Sequence, residues 1–237
     1  MKNQYFGDIN DYRKYGLLRS ILHATGLRLL MAWMLTPDDG STDGEFVSYL
    51  QQSRKWAAHD VVLFQTLKGL LAGERERCVA LIEETDLLPN TDYFSAVTPD
   101  QGQKRSAWFT SLAEQARRAN FVFLDPDNGI ELKSKPYGRK GSSKFLFWRE
   151  VETLWASGKS LLIYQHFIRE KRPQFIQRML TALRLVASNS YVEAFSTANV
   201  VFLMALQPDH QHLHQPIVDL VQKNWAGQIK HWELSRS

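Results

Sequence analysis

Cysteine is nearly absent from this 237-residue chain, where Cys78 stands alone. One thiol closes no intrachain disulfide. That excludes a disulfide-stapled scaffold and suits a reducing cytoplasm, where we expect the protein. No redox or nucleophile context surrounds Cys78, so it reads as a helix-packing thiol. Long apolar runs are missing as well. None reaches membrane-spanning length, and the opening Met1-Lys2-Asn3-Gln4-Tyr5-Phe6 has no signal-peptide apolar core, so no membrane partner is expected. Neither sign of charge dominates. The 29 Lys and Arg face 25 Asp and Glu, a net charge of +4 that is too mild for a dedicated DNA coat protein. The chain shows no internal repeat, low-complexity tract or linker. A true phosphate loop is also lacking. Gly138-Arg139-Lys140-Gly141-Ser142-Ser143-Lys144 has the composition but neither the Gly-x-x-x-x-Gly-Lys-Ser/Thr spacing nor a preceding strand, which excludes nucleotide-hydrolase chemistry there. It reads as a flap hinged by Gly and Ser. In Asp209-His210-Gln211-His212-Leu213-His214 the histidines alternate, so neighbours do not share a helix face, and no Cys accompanies them. We read a polar turn into the last helix rather than a metal tract.

What is present is a hydrophobic content of 44%, enough for a sizeable core. Apolar residues recur at helical spacing over 9–23, 60–71, 74–84, 106–120, 144–156, 170–187 and 211–224. Apolar runs of strand length occupy 27–35, 93–97, 121–124, 160–164, 191–196 and 200–206, with an edge strand at 229–234. This alternation predicts a three-layer, Rossmann-like α/β domain spanning 1–237. Its sheet is mostly parallel, 191–196 and 200–206 are late antiparallel strands, and 45–90 is a helical insertion or cap.

The most informative stretch is Phe121-Val122-Phe123-Leu124-Asp125-Pro126-Asp127-Asn128-Gly129-Ile130-Glu131. A buried apolar strand runs into two carboxylates, where Pro and Gly stop it. In open α/β sheets chemistry sits beyond the carboxyl ends of the strands. Two other strand ends carry polar groups: Asp38, Asp39, Gly40, Asp43 and Gly44 after the first strand, and Gln165-His166 after 160–164. If these strands are neighbours, the groups converge on one cleft. Lys133, Lys135, Arg139, Lys140, Lys144 and Arg149 follow the Asp125 motif, and Arg169, Lys171 and Arg172 follow His166. Carboxylates rimmed by cations suit a nucleic acid or nucleotide, whose phosphates the cations hold. We therefore assign Lys140, Lys144 and Arg169 to substrate binding.

The motif resembles that of Rossmann-fold methyltransferases that use S-adenosylmethionine (SAM). Those acting on exocyclic amines carry Asp-Pro-Pro-Tyr or Asn-Pro-Pro-Tyr after a central strand, where this chain has Asp125-Pro126-Asp127-Asn128. Gly7-Asp8-Ile9-Asn10-Asp11-Tyr12-Arg13-Lys14-Tyr15 is similar to the Gly-Asn-x-x-Asp-x-x-Lys-His opening of the adenine-N6 methyltransferases of large-subunit ribosomal RNA. The resemblance spans residues 5 to about 170 as short ordered matches. It implies catalysis by Asp125, Asp127, Asn128 and His166, and SAM held by Asp38, Asp39, Gly40, Asp43 and Gly44. Asp8, Asp11, Lys14 and Tyr15 are then expected on a helix face that covers the cleft, near the substrate.

Two departures open other readings. The Gly-x-Gly loop of a SAM site is replaced by Thr36-Pro37-Asp38-Asp39-Gly40-Ser41-Thr42-Asp43-Gly44, and Asn128 cannot stack on a base as the family's aromatic does. The surplus of carboxylates suits a second reading, a Mg²⁺- or Mn²⁺-dependent nuclease or phosphoesterase with Asp38, Asp125, Asp127 and Glu131 as metal ligands. A third reading is a non-catalytic binding module on the same fold. The residues leave oligomeric state open.

Overall fold

A computed structural model describes residues 1–40, 42, 44–73 and 75–235. The chain opens with α1 (Ile9–Thr25). Asp8 caps it by accepting hydrogen bonds from the Asn10 and Asp11 amides, and Gly26 ends it at a left-handed φ of 66°. The first strand, β1 (Leu29–Ala32), follows. The next segment is helical, with α2 (Ser53–Trp56), α3 (Val61–Ala72) and α4 (Ala80–Glu83) before β2 (Thr91–Phe94). The expected helix over 74–84 is therefore confined to the single turn α4, and Glu74 lies outside the described residues.

Helix α5 (Gly102–Ala116) leads into β3 (Phe121–Leu124), whose limits match the sequence reading. A short parallel pair that the sequence did not announce comes next: β4 (Gly129–Ile130) against β5 (Phe145–Leu146). Then come α6 (Trp148–Ala156), β6 (Ser160–His166) and α7 (Arg172–Val186). The chain closes with β7 (Tyr191–Ser196), β8 (Val200–Leu206), α8 (His214–Trp225) and β9 (Lys230–Glu233).

The main sheet has seven strands in the order β2-β1-β3-β6-β8-β7-β9. The first four are mutually parallel, while β8 runs antiparallel to β6 and β7, and β9 antiparallel to β7. The fold is thus Rossmann-like α/β with late antiparallel strands. Side chains alternate along β3. Phe121 and Phe123 pack with Tyr12 of α1, Phe64 of α3 and Trp225 of α8, whereas Val122 and Leu124 pack with Leu112 of α5, Leu154 of α6 and Ile176 of α7. Helices therefore cover both faces, which is why β3 reads as an unbroken apolar run. Each such buried side chain contributes about 1.5–3 kcal/mol. Gly16 lets α1 approach α8 closely, since a Cβ there would lie 1.9 Å from the Trp225 ring. Among the described residues no helix is long and apolar enough to cross a membrane.

Candidate active site

Parallel pairing places the ends of β1, β3 and β6 at one edge, with Leu124 opposite Ala32 on one side and Ile163 on the other. Asp125 is the first residue past β3, and its amide donates to the Ala32 carbonyl at 3.0 Å. Pro126, which has no N–H to extend a ladder, releases the chain at that point. A cavity of about 320 Å³ opens there, bordered by Asp125, Pro126, Asp127 and Asn128 of the motif and by Tyr164 and His166 of β6. Asp8, Asn10, Asp11 and Lys14 of the α1 segment close its other wall, with Met1, Tyr5, Gly44 and Phe46.

Lys14 is the hub. Its ammonium lies 2.5 Å from Asp11 Oδ1 and 2.8 Å from Asp125 Oδ2, with the side chain only 1% exposed. Burial acts to lower its pKa, but the Asp11 and Asp125 carboxylates outweigh it and hold the ammonium above its ordinary value. Asp11 and Asp125 share this one lysine, and Asp8 lies within reach of its charge. Burial, reinforced by the charge of Asp11, pushes the Asp8 carboxyl up to about 7 even though backbone amides hydrogen-bond it. Burial also raises Asp11, against the pull of Lys14. The amino group of Met1 donates to the carbonyls of Met34 (3.3 Å) and Asp125 (3.1 Å) and lies 3.9 Å from Asp127 Oδ1. Met34 takes a φ of 47°, a left-handed conformation that costs a non-glycine residue about 1–3 kcal/mol.

Asp127 is 3% exposed. Its Oδ2 lies 3.5 Å from Lys144 Nζ, and its Oδ1 is buried with no hydrogen-bond partner. Burial lowers the pKa of His166, although the Asp127 and Asp125 charges act upward, so its imidazole is neutral near pH 7. Gln165 braces the turn. Its Oε1 accepts from the Ile130 amide at 2.7 Å, and a Cβ on Gly129 (φ 110°) would lie 2.5 Å from its amide group.

The structure therefore brings Asp8, Asp11, Lys14, Asp125, Asp127, Asn128, His166 and Gly44 together, with Lys144 at the side. Other expected residues lie elsewhere. Asp38, Asp39 and Gly40 are exposed and do not border the cavity. Asp38 accepts from the Gln4 amide at 3.3 Å, and Asp39 pairs with Lys2, so the segment 1–5 separates this loop from the cavity. Asp43 lies outside the described residues. Gly44 serves the same segment, since a Cβ there would lie 2.6–2.9 Å from Tyr5 and Gln4. Tyr15 is fully buried among Phe6 and Trp33, and its hydroxyl donates to Asp11 at 3.4 Å, so it braces the cluster instead of lining the cavity. Glu131 is spent on the first amide of α6, accepting from Trp148 at 2.8 Å. Lys140 and Arg169 are exposed and do not border the cavity. The flap carrying Lys140 is pinned. Burial acts upward on Asp100, but bonds from the Gly141 (2.8 Å) and Ser143 (2.7 Å) amides hold its pKa below the ordinary value.

Sequence reasoning missed Met1, Tyr5, Asn10, Phe46 and Tyr164. Asn10 and Tyr164 lay inside quoted motifs, whereas nothing local marked Phe46.

The metal set does not fit. Among the described residues no group of three or more His, Cys, Asp or Glu side chains is placed to hold a metal ion. Asp125 is taken by Lys14, and Asp38 and Glu131 are bonded elsewhere. The cavity chemistry does suit a cationic, amine-bearing cofactor such as SAM. Four carboxylates face Lys14 and the Met1 amino group, and the rings of Tyr5, Phe46 and Tyr164 border the space.

No protein-family model matches the chain, and no curated protein does. Among solved structures, a Legionella pneumophila protein of the family DUF519 aligns over 98% of this chain and 97% of its own, with 11% sequence identity and a TM-score of 0.45.

Proposed function

We propose that the cavity receives the exocyclic amino group of a nucleobase, and that the protein is a methyltransferase-type enzyme acting on nucleic acid or a nucleotide. The observation that carries this reading is Asp127 Oδ1, an acceptor buried at the cavity wall that no hydrogen bond satisfies, with the Met1 ammonium standing off at 3.9 Å. A buried unpaired polar group costs about 1–3 kcal/mol, and more when charged, so a ligand N–H that reaches it recovers that cost. A carboxylate only accepts, which selects a donor-bearing edge. Asp8, with a pKa near neutrality, is the residue suited to take the proton an amine loses as it gains a methyl group. His166 stays neutral beside it, and Lys14 keeps Asp11 and Asp125 oriented. When bound, SAM supplies the electrophilic methyl group, and Asp8 and Asp127 are the carboxylates best placed to face its positive charge.

The test compares adenosine with purine riboside, which lacks the amino group, by calorimetry on wild type and Asp127→Asn. A site built to bond the amine discriminates by at least about tenfold, and the variant should lose that preference. Equal affinities in wild type would sink the reading. Thermal-shift runs with SAM, S-adenosylhomocysteine, Mg²⁺ and Mn²⁺ complete it. A SAM-specific shift is expected, and a metal-only shift would overturn the methyltransferase assignment.

A further inference from the structure

A second cavity, of about 700 Å³, opens next to the first. Phe167 and Arg172 form one side, and Lys230, His231 and Trp232 of β9 the other. No residue that borders it is acidic. The Arg172 guanidinium lies 5.0 Å from the Phe167 ring, and the Lys230 ammonium lies 4.0 Å from the Trp232 ring. Two cation–ring pairs thus border the groove. Two nearby carboxylates already have side-chain partners. Glu170 pairs with Arg178 at 2.7 Å, and buried Glu193 is held by His231 at 2.6 Å.

The two cavities are lined by neighbouring residues. His166 borders the first and the next residue, Phe167, the second. Asn10 of the first wall accepts from Asn199 at 3.3 Å, beside Ala198 of the second. Arg13, one turn along α1 from Asn10, donates to Gln228 of the groove at 2.9 Å. Their charges are opposite. Asp8, Asp11, Asp125 and Asp127 repel phosphate from the first cavity, whereas Arg172 and Lys230 attract it to the second.

We propose that this groove holds the phosphodiester backbone of a single-stranded nucleic acid whose base enters the first cavity. The inference rests on the amine reading above and adds the form of the substrate. A base held in a duplex cannot present its amino edge at a buried carboxylate without leaving the stack, so a single strand is the form that fits. Aromatic faces with cations above them track such strands without reading their sequence. Exposed Arg169 and Lys171 extend the cationic rim towards Arg172.

The test uses the full chain and three probes: adenosine, an adenine-containing single strand roughly 12 nucleotides long, and the same sequence as a duplex. Binding is measured for wild type and for the Arg172→Gln/Lys230→Gln double variant between about 50 and 200 mM salt. Wild type should hold the strand at least about tenfold more tightly than adenosine, and more tightly than the duplex. The double variant should lose that advantage, and its log–log salt slope should shrink by about 1.4, or 0.7 for each phosphate contact removed. Its adenosine affinity should be unchanged, which also reports that it folds. A strand bound no better than adenosine, a duplex bound equally well, or an unaltered slope in the variant would overturn the groove alone. If wild type binds neither adenosine nor strand, the amine reading fails and the groove falls with it.

Discussion

Asp8 should make the protein less stable at neutral pH than it would be without a charge there. In the unfolded chain the carboxyl titrates near 3.8, and in the folded protein at about 7. Between these values the folded state binds the proton and the unfolded state has lost it, so stability falls as pH rises through that window. Below about pH 4 both states are protonated and the penalty vanishes, and above about pH 7 it is complete and constant. The separation is about three units at about 1.4 kcal/mol each, so the ionised side chain costs at most about 4 kcal/mol. Asparagine caps helices as well as aspartate does and carries no charge. Asp8→Asn should therefore match wild type near pH 4 and exceed it by up to about 4 kcal/mol at pH 8 in urea denaturation. The gap should open between these limits. On the proposed reading the same variant should lose the carboxylate that takes the amine's proton, and a rate dependence on a group near pH 7 should disappear with it. A variant that is less stable than wild type at pH 8, or a gap that does not change with pH, would refute the assignment of burial and Asp11 as the cause.

Two further substitutions probe how the site is held. Lys14→Met leaves Asp11 and Asp125 buried without their shared cation and should cost about 3–5 kcal/mol, seen as a lowered urea midpoint at neutral pH. A loss under about 1 kcal/mol would mean that the carboxylates are already protonated. Gly16→Ala would drive a Cβ to 1.9 Å from the Trp225 ring and should cost about 1–3 kcal/mol by forcing α1 from α8, read by denaturation with tryptophan fluorescence.

Much of the fold was legible because the strands that carry it are buried on both faces. Phe121–Leu124 and Val200–Leu206 are apolar runs of strand length, Tyr191–Ser196 is a mixed one that carries Glu193, and the limits of all three were readable to the residue. Leu27–Leu35 was readable as a strand but not in extent. Pairing with β2 and β3 stops at Ala32, after which Trp33, Met34 and Leu35 stay buried outside the ladder. Apolar character reports burial, and burial continues past the hydrogen-bonded register. The pair β4 and β5 has two residues in each strand, too few to generate any periodicity.

The site was legible where one strand end or one helix turn carried it, and illegible where it depended on a contact between distant segments. The order Asp8, Asp11, Lys14 on α1 and Asp125, Asp127 after β3 is visible in the sequence, but their closure through one lysine is not. That closure changes their chemistry. Read as a string, six acids suggest a metal site. In the structure Asp125 and Asp11 share the single charge of Lys14, Glu131 accepts from the first amide of α6, and Asp38 and Asp39 are tied to Gln4 and Lys2. Among the described residues the cavity keeps an Asp127 oxygen that accepts no hydrogen bond and an Asp8 carboxyl whose pKa is raised to about 7. On the proposed reading, an acceptor and a proton-accepting group that border one cavity are the pair that an amino group needs. Phe46 adds what Asn128 lacks. It is 68% exposed at the cavity, its carbonyl is fixed by the Ile9 amide at 3.1 Å, and its ring offers the flat face that the amino-methyltransferase motif would place at position 128. On the proposed reading the exposed Phe46 ring would supply the stacking face that the motif lacks, because a base needs such a face but not one from a particular strand.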